Sequence, residues 1–279
     1  MDADDSLNGM IFTLNHKPRW SLDLSALTPD RLSGVENVAD IELNYGARPV
    51  RAGDLFSIKG DDPEHIELRR TTELVTRIGA GMTRGHINVK AHGGSYLGHG
   101  MKGGTIRVNG NCGDWLGCEM YWGRIDVEGD AGDYIGAGKR TAMYGMRDGL
   151  ITVWGNAGNR IGDRMRRGMI MIGGDAGDFS GSGMVAGTIL ILGKSGRLPG
   201  YGMKRGTIIL GRRPDRIGTT LANCGTLKME YLRLFFKQLS RMGSRYRFFR
   251  NFGPEVRLYT GDLANDGKGE IMVLLNTAR

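Results

Sequence analysis

The chain has 279 residues, with 47 Gly, 7 Pro, 40% hydrophobic residues and a formal net charge of +8. Gly so far above its usual share of roughly 7%, with little Pro and no Gly-X-Y period, excludes collagen. Hydrophobic residues that recur in order exclude low-complexity disorder, so the glycines punctuate a fold. The basic balance bears on partners and solubility rather than on fold, and leaves nucleic acid, an acidic small molecule and an acidic protein open.

In chain order, the first residues, MDADDSLNGM, are acidic where a secretory leader is basic. The strongest apolar runs, residues 189–192 and 271–275, fall far short of the ~20 residues that cross a bilayer. A cytoplasmic chain, off the membrane, is expected. Residues 1–75 carry mixed β patterns, over 11–14 and 50–58, and a short helix is predicted from Thr28 with Pro29 at its first position. This region reads as an N-terminal β-rich cap.

Residues 76–212 are built on a repeat. Met82, Met101 and Met120 stand 19 apart, and Met146, Met165, Met184 and Met203 resume that step after one gap of 26, a repeat plus a seven-residue insertion around 139–145. Three residues after each Met is a Gly, from Gly85 to Gly206; two further is an Ile, from Ile87 to Ile208; two further again stands Val89, Val108, Val127, Val153, Ile172, Ile191 or Leu210. Two more Gly columns run from Gly94 to Gly196 and from Gly98 to Gly200.

The segment Gly-x-Ile-x-Val alternates with period 2, which sends its branched side chains to one face of a strand. A single unit cannot bury that face alone, whereas stacked units can. With strands about 4.8 Å apart, the stack rises roughly 29 Å from first repeat to last. The expected fold is therefore all-β, a parallel β-helix over residues 76–212 with Ile151 and Ile170 in its lumen. A leucine-rich repeat needs an L-x-x-L-x-L spacing that is missing, and hexapeptide helices need turns in multiples of six. In 213–279, Leu227, Tyr231, Phe235, Leu239 and Met242 recur at helical spacing, which predicts an amphipathic helix over the far end. Residues 253–279 read as an extended tail or a hairpin with a turn over 265–269.

Most chemistry-bearing patterns have a structural explanation. Gly98, Gly100 and Gly103 spell G-x-G-x-x-G, but the dinucleotide fingerprint needs a helix next, and here strand follows. His86, His92 and His99 suggest a zinc site; each occurs in one repeat only, so surface or interface positions are expected. Cys112, Cys118 and Cys224 form no C-x-x-C pair and have no partner at a spacing that would activate a thiol. Asp114, Asp133, Asp163, Asp175 and Asp178 fall at corners, where Asp ordinarily caps turns. The run RMGSRYRFFRNF, residues 241–252, interleaves basic and aromatic residues as single-strand binders do; aromatics packed on a neighbour are expected instead, with no nucleic acid bound. No catalytic or metal-ligating residue is assigned to the chain.

One column stands apart. The two positions after each Met carry Arg84, Lys102, Arg147, Arg166, Arg167, Lys204 and Arg205. Stacked, they make a basic stripe along one edge, either solvated or facing an acidic partner subunit or the acidic tail of a cofactor.

Runs such as Gly53-Asp-Leu-Phe-Ser-Ile-Lys-Gly60, Gly110-Asn-Cys-Gly-Asp-Trp115, Gly174-Asp-Ala-Gly-Asp-Phe179 and Gly202-Met-Lys-Arg-Gly-Thr-Ile-Ile209 resemble the C-subunit family of formylmethanofuran dehydrogenase over residues 40–212. The repeats also resemble the G-x-G-x-G region of large glutamate synthase subunits. The first resemblance implies one of two settings. One is the archaeal dehydrogenase that reduces CO2 onto methanofuran; the other is a bacterial formyltransferase/hydrolase complex that takes formyl-tetrahydromethanopterin to formate through formylmethylofuran. The Arg-rich make-up and basic tail favour the bacterial setting. The resemblance implies a non-catalytic scaffold among hydrolase-like A and B subunits and a formyltransferase D subunit. Methylofuran and tetrahydromethanopterin then belong to the complex, and the catalytic metal to a partner subunit.

Overall fold

The computed structural model describes residues 9–265 and 267–275. Residues 1–8 of the expected cap, Asp266 in the expected turn and residues 276–279 of the expected tail lie outside the described residues. The N-terminal region forms β1 (Gly9–Leu14), β2 (Leu22–Asp23), α1 (Pro29–Leu32), β3 (Glu42–Tyr45), β4 (Arg48–Arg51), α2 (Ala52–Leu55), β5 (Phe56–Lys59), β6 (Asp62–Arg69) and β7 (Val75–Thr76). Helix α1 starts as predicted, with Thr28 extended at the N-cap and Pro29 at the first position.

Each repeat then contributes one strand: β8 (His86–Val89), β9 (Thr105–Val108), β10 (Arg124–Val127), β11 (Leu150–Val153), β12 (Met169–Ile172), β13 (Thr188–Ile191) and β14 (Arg205–Leu210). They pair in parallel and in register, so Ile87, Ile106, Ile125, Ile151, Ile170, Ile189 and Ile208 are successive partners. All seven are at most 1% exposed. The stack extends one place at each end, where Ile66 of β6 pairs with Ile87 and Ile271 of β17 (Lys268–Leu274) pairs with Ile208. Neither end residue keeps the repeat spacing, so the sequence pattern did not include them.

The expected parallel β-helix with a separate cap and tail is corrected by the sheet topology. The chain forms one mixed 13-stranded sheet and a second sheet of four strands, β4-β3-β2-β7. In the large sheet β1 pairs antiparallel with β5 at one edge, and β15 (Ala222–Lys228), β16 (Glu255–Gly261) and β17 form antiparallel pairs at the other. Part of each flank, β1, β5 and β6 on one side and β15, β16 and β17 on the other, is thus continuous with the large sheet. On the other side of each repeat no second ladder of strands forms among the described residues; strand-type pairing there is limited to isolated parallel bridges such as Cys112–Ala131 and Ala157–Ala176.

The residues explain this asymmetry. Only Gly-x-Ile-x-Val alternates long enough to make a ladder, while the opposite segment reads Gly-Asx-small-Gly-Asx. There the Asx side chains hold the neighbours together. Asp114 Oδ1 accepts the amide of Asp133 at 2.8 Å, Asp133 Oδ1 that of Asn159 at 2.6 Å, and Asn159 Oδ1 that of Asp178 at 2.9 Å. Asn111, Asp130, Asn156 and Asp175 repeat the device one corner away. These aspartates therefore cap the next repeat's backbone and not their own turn. The glycine before each receiving residue is required by space: a Cβ on Gly132 or Gly158 would overlap the carboxylate of Asp114 or Asp133. Asp163 is different, being buried between Arg160 at 3.5 Å and Arg164 at 3.0 Å.

The outward strand positions decide where the C-terminal helix goes. They are Asn88, Arg107 and Asp126 in early repeats but Met171, Leu190 and Ile209 in late ones, and an apolar sheet face needs a cover. Helix α3 (Tyr231–Leu239) and the 3-10 helix Ser244–Asn251 supply it with Leu232, Phe236, Leu239, Tyr246 and Phe249. The helix lies on the sheet's outer face, not over its end; of the predicted stripe Leu239 is buried, but Leu232 and Phe236 are buried in place of Tyr231 and Phe235, and Leu227 falls in β15 and is exposed. Tyr246 closes the polar part of that face, its hydroxyl 3.2 Å from Thr152 Oγ1 and 3.4 Å from Arg124, which pairs with Asp126 at 2.6 Å. Burial pushes the Tyr246 phenol above its ordinary pKa. In the 241–252 run the aromatics Tyr246, Phe249 and Phe252 are buried in this packing.

Two outcomes test the stack. Ile170→Ala should lower stability by about 2–5 kcal/mol and Ile170→Asp should prevent folding, because an unpaired charge would enter a dry column; near-wild-type melting of Ile170→Asp contradicts the assignment. Gly117 has φ +61°, and a Cβ there would overlap Ile151 Cδ1 of the next repeat but one. Gly117→Ala combined with Ile151→Val, which removes that methyl, should lose less stability than the sum of the single losses, by ~0.5 kcal/mol or more. Strict additivity in denaturant melts would show that the two sites do not touch.

Candidate interaction surface

The basic positions share an edge because the Met before them is locked. The seven repeat methionines are buried, and the chain turns outward after each. The amides of Lys102, Tyr121, Arg147, Arg166, Val185 and Lys204 donate to the carbonyls of Met82, Met101, Met120, Met146, Met165 and Met184, at 2.7–2.8 Å. One repeat's stripe residue is thereby bonded to the Met that introduces its neighbour, and the positions form a continuous column.

The side chains are not equivalent. Arg84 is answered by Glu64 at 3.0 Å and Asp30 at 3.8 Å. Arg147 lies over the Tyr121 ring at 4.6 Å and Arg166 over the Tyr144 ring at 4.9 Å. Lys102, Arg147, Arg166, Arg167, Lys204 and Arg205 are at the surface, and among the described residues none of these six forms a salt bridge. Tyr121 and Trp122, where the sequence puts no cation, stand 44% and 60% exposed in the middle of the column, and Met143 of the insertion is 75% exposed. The sequence pattern singles out the cations and passes over these apolar residues, although the one repeat with two aromatics after its Met marks the place.

A second column lies at the corner after the Asx residues. Tyr96, Trp115 and Tyr134 stack with parallel rings at 5.9 and 4.3 Å. Arg77 caps the stack at 5.3 Å, and Arg160 lies over Phe179 at 5.1 Å. Trp115, Tyr134, Arg140 and Arg160 line an open cavity of about 450 Å³ beside the insertion. Here too a sequence signal exists, an aromatic recurring after Gly-Asp.

The three histidines do not converge. His86 stacks on His65, His92 accepts the Asn111 amide at 3.1 Å, and His99 lies 3.0 Å from the Cys118 carbonyl and 2.7 Å from Lys139 Nζ. Among the described residues no three of His, Cys, Asp and Glu gather as a metal site needs, and no helix is long and apolar enough to cross a membrane. Cys112 and Cys118 are buried and Cys224 is exposed; burial pushes the Cys118 thiol up to about 12 and Cys112 higher still.

The GXGXG motif family matches residues 69–234. Among solved structures, the chain is similar to a chain of the formyltransferase/hydrolase complex FhcABCD from Methylorubrum extorquens in complex with methylofuran. The two are 34% identical with a TM-score of 0.85, over 95% of this chain and all of that one. No curated protein matches the chain.

Since only thiolates alkylate readily, iodoacetamide on the native protein at mild alkaline pH should label Cys224 alone. Peptide mass spectrometry showing Cys118 labelled at a comparable rate would contradict its burial.

Proposed function

The chain belongs to the GXGXG motif family, in the group that resembles the C-type subunits of formylmethanofuran dehydrogenase, and we propose that it is a non-catalytic scaffold in a formyltransferase/hydrolase complex. In that setting the complex converts formyl-tetrahydromethanopterin to formate through formylmethylofuran, with the reacting groups and the catalytic metal on partner subunits in the cytoplasm. The observation that carries the reading is the similarity of 95% of this chain to a whole chain of such a complex. The character of this chain suits that role: its repeated residues are glycines, methionines and aliphatics spent on stacking.

The basic column is the chain's contact with carboxylates in this proposal. Exposed cations without acidic partners repel one another when stacked a strand spacing apart, and an acidic face relieves that. An acidic partner subunit is the occupant we favour. The glutamate tail of a methanofuran-type cofactor fits the same donors: the ~24 Å from Lys102 to Lys204 matches roughly seven extended residues at about 3.3–3.6 Å each.

Assayed alone with formyl-tetrahydromethanopterin and methylofuran, the purified chain should show no turnover; activity well above background would contradict the scaffold role. Changing Arg166, Arg167, Lys204 and Arg205 together to Glu should release the chain from co-expressed partners, in a salt-sensitive manner. Loss of cofactor from an intact complex would identify the tail as the occupant. A complex that assembles normally with its full cofactor would mean that the column is a solvated edge.

A further inference from the structure

The 19-residue period breaks once, and the break builds a surface. The insertion at 139–145 is held in one shape by Arg164, whose guanidinium donates to the carbonyls of Ala142 and Gly138 at 2.6 Å and of Lys139 at 2.9 Å, while its Nε donates to Asp163 at 3.0 Å. A loop fastened this firmly still turns Met143 outward. Next to Met143, the Tyr144 ring carries the Arg166 guanidinium; Arg166 is bonded through its amide to the repeat of Arg147, and Arg147 covers the Tyr121 ring. These contacts link Tyr144, Arg166, Arg147 and Tyr121 in one row, with Trp122 and Met143 exposed beside its two ends in sequence, and its arginines form no salt bridge among the described residues.

Scattered exposed apolar residues are ordinary, but a contiguous patch rimmed by charge marks an interaction site. Trp, Tyr and Arg are the residues that carry most binding energy at protein interfaces, and Met adapts to an uneven surface. A loop already fixed in place loses little entropy on binding. We propose that Tyr121, Trp122, Met143 and Tyr144, with Arg147 and Arg166, form the docking anchor for a different protein, one presenting an apolar recess edged by Asp or Glu side chains. The inference rests on the reading of the chain as one member of a complex and deepens it: apolar burial at the middle of the column holds the partner, and the flanking cations align it. A bare acidic tail along this segment would answer the arginines but leave Trp122 and Met143 uncovered, so a protein is the occupant that accounts for both.

The test is co-expression of the chain with the tagged formyltransferase and hydrolase-like subunits of the same source, followed by affinity measurement at low salt and at about 0.5 M salt, where exposed charges are strongly screened. Trp122→Ala/Met143→Ser should weaken binding at least tenfold at both salt concentrations with an unchanged melting temperature. Trp122→Lys, which is easily solvated in the free chain, should do the same. If wild type binds and both variants bind equally well, the anchor is wrong while membership of the complex stands. If wild type binds none of these subunits, both fall. A dimer of the chain alone that the variants abolish would overturn the proposal by making a second copy the occupant.

Discussion

Ile170 has no way out of water within its own repeat. Its four-residue strand leaves the side chain dry only because Ile151 and Ile189 stand in register on either side, and every other feature of the chain follows from keeping that register. The methionines turn the backbone out at the same point in each repeat. The Asx side chains bridge to the next repeat where no ladder exists, and the glycines beside them leave room for those carboxylates and amides. A change in any one column is thus felt in the neighbouring repeat.

The same register produces the surface. A column whose members are joined by backbone hydrogen bonds of 2.7–2.8 Å repeats any charge it carries, so a fold that stacks identical units also concentrates like charges along an edge. The chain holds six of its column cations there without an acidic partner among the described residues, and interrupts them with Tyr121 and Trp122. Such an edge is poorly suited to standing alone in water and well suited to meeting another surface. The apolar face of the late strands met the same problem internally and was covered by α3 and the 3-10 helix after it.

Much of this was legible in the sequence. The Met, Gly, Ile and Val columns set the register of the parallel strands, the Thr28–Pro29 start of α1 follows from its residues, and the last hairpin was among the expected forms. The fold class was misjudged where the pattern was silent: Ile66 and Ile271 join the stack from outside the repeat, and β1, β5, β15 and β16 join the sheet through pairings between distant segments that no local period records. Of the helix's buried face only Leu239 was in the expected stripe, and Leu232 and Phe236 were missed for a related reason, since the outward positions Met171, Leu190 and Ile209 acquire meaning only once the strand faces are known. Within the site, the stripe's membership was readable, whereas the neutralisation of Arg84 by Glu64 and Asp30 depends on the N-terminal region's placement.

The central claim is that this chain serves as a structural member of a complex, its basic, aromatic-centred edge covered by another protein. A cryo-electron microscopy structure of the assembled complex from the same source tests it most directly. The account predicts that the edge from Lys102 to Arg205 is buried against a partner protein, with carboxylates opposite Arg147, Arg166 and Arg167 and an apolar recess over Trp122. A map in which that edge faces solvent along its length would contradict it.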